Sequence, residues 1–192
     1  MDRDKNTFFV GGYPRSGNTF LEFVLSKTYG TQNVLRSHST LDLAQNYDKD
    51  VCVVIRNPIQ AIASWHQYRT QTGIHFDKNL SLEADFNYYL RFYKYVQKHF
   101  DQLLLLDFSQ FSCNITYIQN KIESKYHRKL SVSLDIEALK KEMIVRGGAN
   151  HLPRKANTSR KQIELQVLEH PLLKDATDLY KCLINKEACN DN

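Results

Sequence analysis

The chain has no apolar stretch that could span a bilayer. Its longest, VCVVI and LLLL, fall far short of the roughly 20 residues a membrane helix needs. It also shows no basic-then-apolar leader, because MDRDKNTFFVGG turns polar too soon, and a cytoplasmic location is therefore expected. Cys52, Cys113, Cys182 and Cys189 form no C-x-x-C pair and no metal-ligand spacing, so reduced thiols are the expectation. The sequons opened by Asn79, Asn114 and Asn157 carry no meaning without a secretory route. No linker, low-complexity tract or internal repeat divides the sequence, which predicts a single domain over residues 1–192. A large excess of one charge is missing too. The formal net charge of +5 suits an anionic ligand but gives no ground for a nucleic-acid partner.

What is present is enough apolar material, 42% of residues against 24% charged, to build a core in a soluble globular chain. Thr7–Val10 is a β-rich run that ends in Gly-Gly, which predicts a buried strand entering a tight turn. Asn18 to about Tyr29 carries Phe20, Leu21, Val24 and Leu25 before Gly30, the pattern of an amphipathic helix closed by glycine. Val51–Ile55 is a second apolar strand, and Asn57-Pro58 then opens a helix with Ile59, Ile62, Ala63 and His66 at helical spacing. Ser81 to Phe100 reads as a long aromatic-rich helix, and Leu103–Leu106 as a third strand. Helical patterns follow at about 114–127, 135–145, 159–169 and 175–185. Strands alternating with helices predict an α/β fold, a mainly parallel sheet with helices on both faces. Ligands in such folds sit beyond the carboxyl ends of the strands.

Two segments fall at such ends. The first, GGYPRSGNT, reads G-x-x-x-x-G-N-T from Gly12, a phosphate loop whose lysine is replaced by Asn18. A glycine-rich turn between strand and helix aims backbone N–H groups and the positive end of the helix dipole at one spot. Gly12 and Gly17 allow the backbone such a loop needs, and Pro14 stiffens it. Ser16, Asn18 and Thr19 add short polar groups, and Arg15 adds a planar fork suited to two phosphate oxygens. Without the lysine, a nucleoside triphosphatase would lack a main partner of the transferred phosphoryl group. The second segment, VVIRNPIQAIAS, places Arg56 at a strand end and Ser64 eight residues on, where both can converge on a separate phosphate. A plain structural turn and a surface serine are the alternative readings.

Together YPRSGNTF and VIRNPIQAIAS resemble the sulfotransferases that use 3′-phosphoadenosine 5′-phosphosulfate (PAPS) as donor. The family's P-[KR]-S-G-[TN]-T-[WF] motif is matched by Pro14 to Phe20, and its R-[DN]-P run with a serine eight residues later by Arg56 and Ser64. Arg36-Ser37-His38 stands where relatives often carry K-[ST]-H at the end of a strand. The resemblance covers roughly residues 7 to 110 and implies a sulfotransferase fold of the phosphate-loop NTPase type. It further implies transfer of a sulfuryl group from PAPS to a hydroxyl or amine acceptor, in line and without a metal. Arg15, Ser16, Gly17, Asn18 and Thr19 would then hold the 5′-phosphosulfate, Arg56 and Ser64 the 3′-phosphate, and Phe20 would stack on adenine unless it belongs to the core. His38 would be the general base, with Glu22, His66 and His151 as substitutes, and Arg15 would stabilise the leaving phosphate.

Departures from the family are specific. Phe108, Ser109 and Gln110 replace its Tyr, Glu and Asp after the third strand. No Trp follows the basic residues of MIVRGGANHLPRKANTSR, where Arg154 and Lys155 are the first choice for the 3′-phosphate and Arg146 the second. The acceptor is expected to be a small molecule or a glycan, and SWHQY and NYYLRFYKY are either its lining or helix packing. The oligomeric state is not written in the sequence. Two other classes remain in view, a nucleotide kinase or triphosphatase and a non-catalytic nucleotide-binding relative.

Overall fold

The computed structural model describes residues 7–73, 81–130, 135–145 and 157–189, with the side chains of 187–189 left aside. Four parallel strands, β1 (Phe8–Gly12), β2 (Val34–Ser37), β3 (Asp50–Ile55) and β4 (Leu104–Asp107), form one sheet in the order β2-β1-β3-β4. Their registers pair Phe8 with both Val34 and Asp50, and Cys52 with Leu104, so the strands end nearly level.

Side chains alternate across a strand, and here both faces are apolar. Phe9, Val51, Val53, Ile55 and Leu105 enter one core, while Phe8, Val10, Cys52, Val54, Leu104 and Leu106 enter a second. That is why the strands read as unbroken hydrophobic runs rather than alternating ones. The Phe9 side is covered by α3 (Pro58–Thr72), α4 (Leu82–Lys98), α8 (Thr158–Leu168) and α9 (Leu173–Cys189). The Phe8 side is covered by α1 (Asn18–Tyr29), α6 (Ile115–Tyr126) and α7 (Ile136–Val145). The expected α/β fold, a parallel sheet with helices on both faces, is the observed one.

Helix starts follow local chemistry. Asn57 accepts from the Ile59 N–H with Pro58 in the first turn, and Ser81 accepts from the Ala84 N–H at the head of α4. Two short helices, α2 (Thr40–Gln45) and α5 (Phe108–Phe111), were not expected, and neither was the extent of β2. In VLRS only Val34 is buried, so the edge strand leaves little hydrophobic pattern. α9 is longer than the expected 175–185 at both ends.

From β1 the chain passes through α1 to β2 on one side, and from β3 it passes to β4 on the other. The sheet order therefore reverses between β1 and β3. The crevice beyond their carboxyl ends, at Gly12 and Ile55, is where such a fold accepts ligands.

Candidate active site

Residues 13–17 join β1 to α1 and turn on three unusual backbone angles. Gly12 has φ 155, Arg15 φ 63 and Gly17 φ 103. A Cβ on Gly17 would lie 2.5 Å from Phe108 Cδ2, and one on Gly12 would lie 2.9 Å from the Val54 carbonyl oxygen. Arg15 is left-handed without being glycine, a conformation that costs about 1–3 kcal/mol and persists only when its surroundings hold it. Arg56 supplies part of that hold, donating from its guanidinium to the Arg15 carbonyl oxygen at 2.5 Å. The Arg15 guanidinium stands 5.1 Å from the centroid of the Tyr68 ring.

Along this loop the side chains alternate in burial. Arg15, Gly17 and Thr19 are partly exposed, whereas Ser16, Asn18 and Phe20 are buried. Three of these side chains turn inward. Ser16 lies wholly inside, its hydroxyl 3.4 Å from that of Tyr93. Asn18 turns its amide back to donate to the carbonyl oxygens of Gly12 and Tyr13, at 3.2 and 3.0 Å. Phe20, only 1% exposed, is stacked parallel to Phe111 in the core and has no free face for adenine. Burial of the first turn of α1 decides all three. What the loop does offer outward is backbone. No side chain caps α1 at Gly17, and no carbonyl among the described residues accepts the N–H groups of Gly17, Asn18 and Thr19.

At the end of β3, Arg56 lies over the Phe108 ring at 4.2 Å. Its Nε is buried and, among the described residues, has no hydrogen-bond partner. Burial, then the nearby Arg160 and Arg15 charges, pushes its pKa down to about 10, so it stays cationic at neutral pH. Arg160, near the start of α8, was not singled out in the sequence. It donates to Glu164 at 3.1 Å and to the Gln60 carbonyl oxygen at 3.1 Å, which fixes α8 against α3. Three guanidinium groups thus influence one crevice, and an orphaned buried donor among them fits an anion. Ser64 lies on α3 and is 7% exposed. Arg146, His151, Arg154 and Lys155 lie outside the described residues.

His38 follows β2 directly, with Nδ1 2.8 Å from the Gly12 carbonyl oxygen. Nδ1 also lies 3.2 Å from the Asn18 amide nitrogen, but that amide directs its hydrogens to the Gly12 and Tyr13 carbonyl oxygens, so the shorter Gly12 contact assigns the proton to Nδ1 and leaves Nε2 as the acceptor. Nε2 lies 3.5 Å from the Arg36 guanidinium, whose Nε donates to Glu22 at 2.6 Å. Burial lowers the His38 pKa, the Gly12 bond opposes this, and the Arg36 charge lowers it further. The imidazole is consequently neutral at physiological pH. Glu22 is committed to its ion pair with Arg36, and His66 Nδ1 is held 2.7 Å from buried Asp85, which also pairs with Arg69.

Three tyrosines of the aromatic stretch of α4 act as support. Tyr88, Tyr89 and Tyr93 donate to the carbonyl oxygens of His38, Arg56 and Val54 at 2.7, 2.8 and 2.8 Å. One helix thereby positions the ends of β2 and β3. The sequence signal was the i, i+1, i+5 tyrosine spacing, which on its own does not say where the hydroxyls bond. Among the described residues no helix is long and apolar enough to cross a membrane, and no group of three or more His, Cys, Asp or Glu could hold a metal ion.

No protein-family model matches the chain, and no curated protein sequence matches it. Among solved structures, it is similar to mouse sulfotransferase SULT7A1 complexed with PAP, at 13% sequence identity and a TM-score of 0.51. The match covers 94% of this chain and 84% of that one, so the fold is a sulfotransferase fold.

Proposed function

We propose that this protein is a sulfotransferase that moves a sulfuryl group from PAPS to a hydroxyl or amine acceptor. The observation that carries the reading is the hydrogen bond that ties the turn after β3 to the loop after β1. The loop after β1 and the Arg56 site after β3 are joined by the Arg56 to Arg15 hydrogen bond, with neutral His38 bonded to the same loop. The resemblance of the two motifs and the PAP bound in the structural neighbour favour the same donor.

In this reading the outward N–H groups of Gly17, Asn18 and Thr19 and the fork of Arg15 hold the 5′-phosphosulfate. Arg56, with Ser64 and Arg160, holds the 3′-phosphate, and Arg154 and Lys155, or Arg146, complete it. His38 Nε2 takes the acceptor proton as the acceptor oxygen or nitrogen bonds to sulfur. The bond from sulfur to the bridging oxygen breaks, and its electrons leave on the phosphate, where Arg15 and the loop N–H groups stabilise the developing charge. Ser16 and Asn18 act from behind the loop by shaping it. A triphosphatase is disfavoured because Asn18, at the lysine position, spends its amide on two backbone carbonyls. A cytoplasmic setting accompanies this reading, in keeping with the free thiols of Cys52, Cys113 and Cys182.

The test is calorimetric titration of 3′,5′-adenosine bisphosphate against 5′-AMP, together with transfer from labelled PAPS in the presence of EDTA. A clear preference for the bisphosphate and metal-independent transfer are expected. Equal affinities, or turnover of ATP that requires Mg²⁺, would replace this reading with the kinase one.

A further inference from the structure

Arg15 carries its charge at the end of one of the most flexible side chains a protein has. Its backbone is fixed, since φ is 63 and its carbonyl oxygen accepts from Arg56. That bond does not settle where the guanidinium lies. Like charge works against a settled position, because the Arg15 charge is among those that lower the Arg56 pKa. The two guanidinium groups therefore repel each other. An attractive contact has to hold the far end of the side chain. The Tyr68 ring supplies one, its centroid 5.1 Å from the guanidinium carbon, within the range at which a cation is drawn to a ring face.

Tyr68 is itself held. Three residues after Trp65 on α3, it packs partly buried against the core, and the two rings stack 6.0 Å apart at an interplanar angle of 22°. Trp65 is buried. Arg69, on the next turn of α3, stands 5.8 Å from the Trp65 ring centroid and pairs with buried Asp85 of α4 at 2.7 Å. The backbone carbonyl of Asp85 accepts from the Tyr13 hydroxyl at 3.3 Å, and Tyr13 belongs to the same loop as Arg15. One cluster thus grips the loop through Tyr13 at Asp85 and through Arg15 at Tyr68. Within the sulfotransferase reading, on which this rests, we propose that Tyr68 is a positioning residue. Its ring fixes the Arg15 guanidinium before the donor arrives, ready for the charge that develops on the leaving phosphate. A cation held in advance needs no reordering as the bond breaks, so the ring counts more in the transition state than in donor binding. The ring face carries the attraction, and the hydroxyl is dispensable for it.

The experiment measures single-turnover transfer from labelled PAPS by the full chain and its variants, with 3′,5′-adenosine bisphosphate titrated in parallel. Tyr68→Leu is expected to lower the transfer rate about tenfold. Bisphosphate affinity should change by about twofold at most, which also reports an intact fold. Tyr68→Phe keeps the ring and should keep the rate. Added to Arg15→Ala, Tyr68→Leu should cost nothing further, because the ring acts through the guanidinium. A ring that merely packed α3 or lined an acceptor pocket would cost the same in either background. An equal loss with and without Arg15→Ala, an unchanged rate in Tyr68→Leu, or a Tyr68→Phe rate as low as that of Tyr68→Leu would overturn the proposal. Proton NMR of the unliganded chain reads the contact without turnover. The Arg15 side-chain protons should be shifted upfield by the ring, return to ordinary positions in Tyr68→Leu and stay shifted in Tyr68→Phe. Unshifted Arg15 protons in the unsubstituted chain would overturn the proposal as well. Absence of transfer from PAPS by the unsubstituted chain would instead strike the sulfotransferase reading, whatever the NMR shows of the contact.

Discussion

The guanidinium of Arg56 donates to the backbone carbonyl oxygen of Arg15 at 2.5 Å, joining segments 41 residues apart. One residue belongs to the phosphate-type loop after β1 and the other to the turn after β3. Each alone is an ordinary cation at a strand end. Together they hold a left-handed residue in place and leave the buried Arg56 Nε ready to accept an anion as its partner. Arg56→Ala should therefore remove most of the preference for 3′,5′-adenosine bisphosphate over 5′-AMP. Loss of a charge-assisted contact of about 1.5–3 kcal/mol corresponds to tenfold or more in affinity, which calorimetry would read.

Arg160 should behave as a member of the same anion site. Arg160→Ala is expected to weaken the bisphosphate by about tenfold and 5′-AMP much less. Its main-chain position is secured by the Asn157 cap, which accepts the Arg160 N–H at 2.9 Å, so α8 should persist. An equal loss for both nucleotides would move Arg160 away from the 3′-phosphate.

For His38, the expected result of substitution by alanine is a loss of ~10²–10⁴-fold in kcat, the usual contribution of a general base. Bisphosphate binding should be nearly unchanged, because the donor is held by the loop and Arg56. Single-turnover transfer to the true acceptor is the measurement. A near-normal kcat would shift attention to His66, whose Nδ1 is already fixed by Asp85.

The pH profile follows from the direction of the His38 shift. Burial and Arg36 lower its pKa from 6.5, and a base must be neutral to act. The acid limb of kcat should accordingly have its midpoint below 6.5, with activity sustained above it. Arg36→Gln removes one of the lowering influences, so the midpoint should rise toward 6.5. A midpoint that did not move would show that the limb reports another group.

Gly17→Ala tests the loop itself. The new methyl would meet the Phe108 ring at 2.5 Å on a backbone with φ 103, so both packing and strain oppose it. A loss of about 1–3 kcal/mol is expected, visible as a lower urea midpoint. Trimming the ring in a Gly17→Ala, Phe108→Ala double variant should recover the packing part and leave the backbone part.

Much of the fold is local in origin and was legible in the sequence. The apolar runs around Phe9 and Val53, the Pro58 start of α3 and the Asn18–Tyr29 helix all express short-range pattern and capping, and they appear at the expected positions. The motif residues Arg15, Arg56 and His38 were likewise legible as types of chemistry at strand ends. Which way each side chain turns was not, because that depends on what packs behind it. Tyr93 and Phe111 draw Ser16 and Phe20 inward, and the Gly12 and Tyr13 carbonyls capture the Asn18 amide. Arg160 is 104 residues from Arg56 in a chain that gives no local sign of their meeting. Sequence by itself thus determined the elements and the kinds of functional group, since propensity and periodicity act over a few residues. Only the tertiary structure decided the partners of the His38 ring and the approach of the three arginines, because these arise where distant segments are brought into contact.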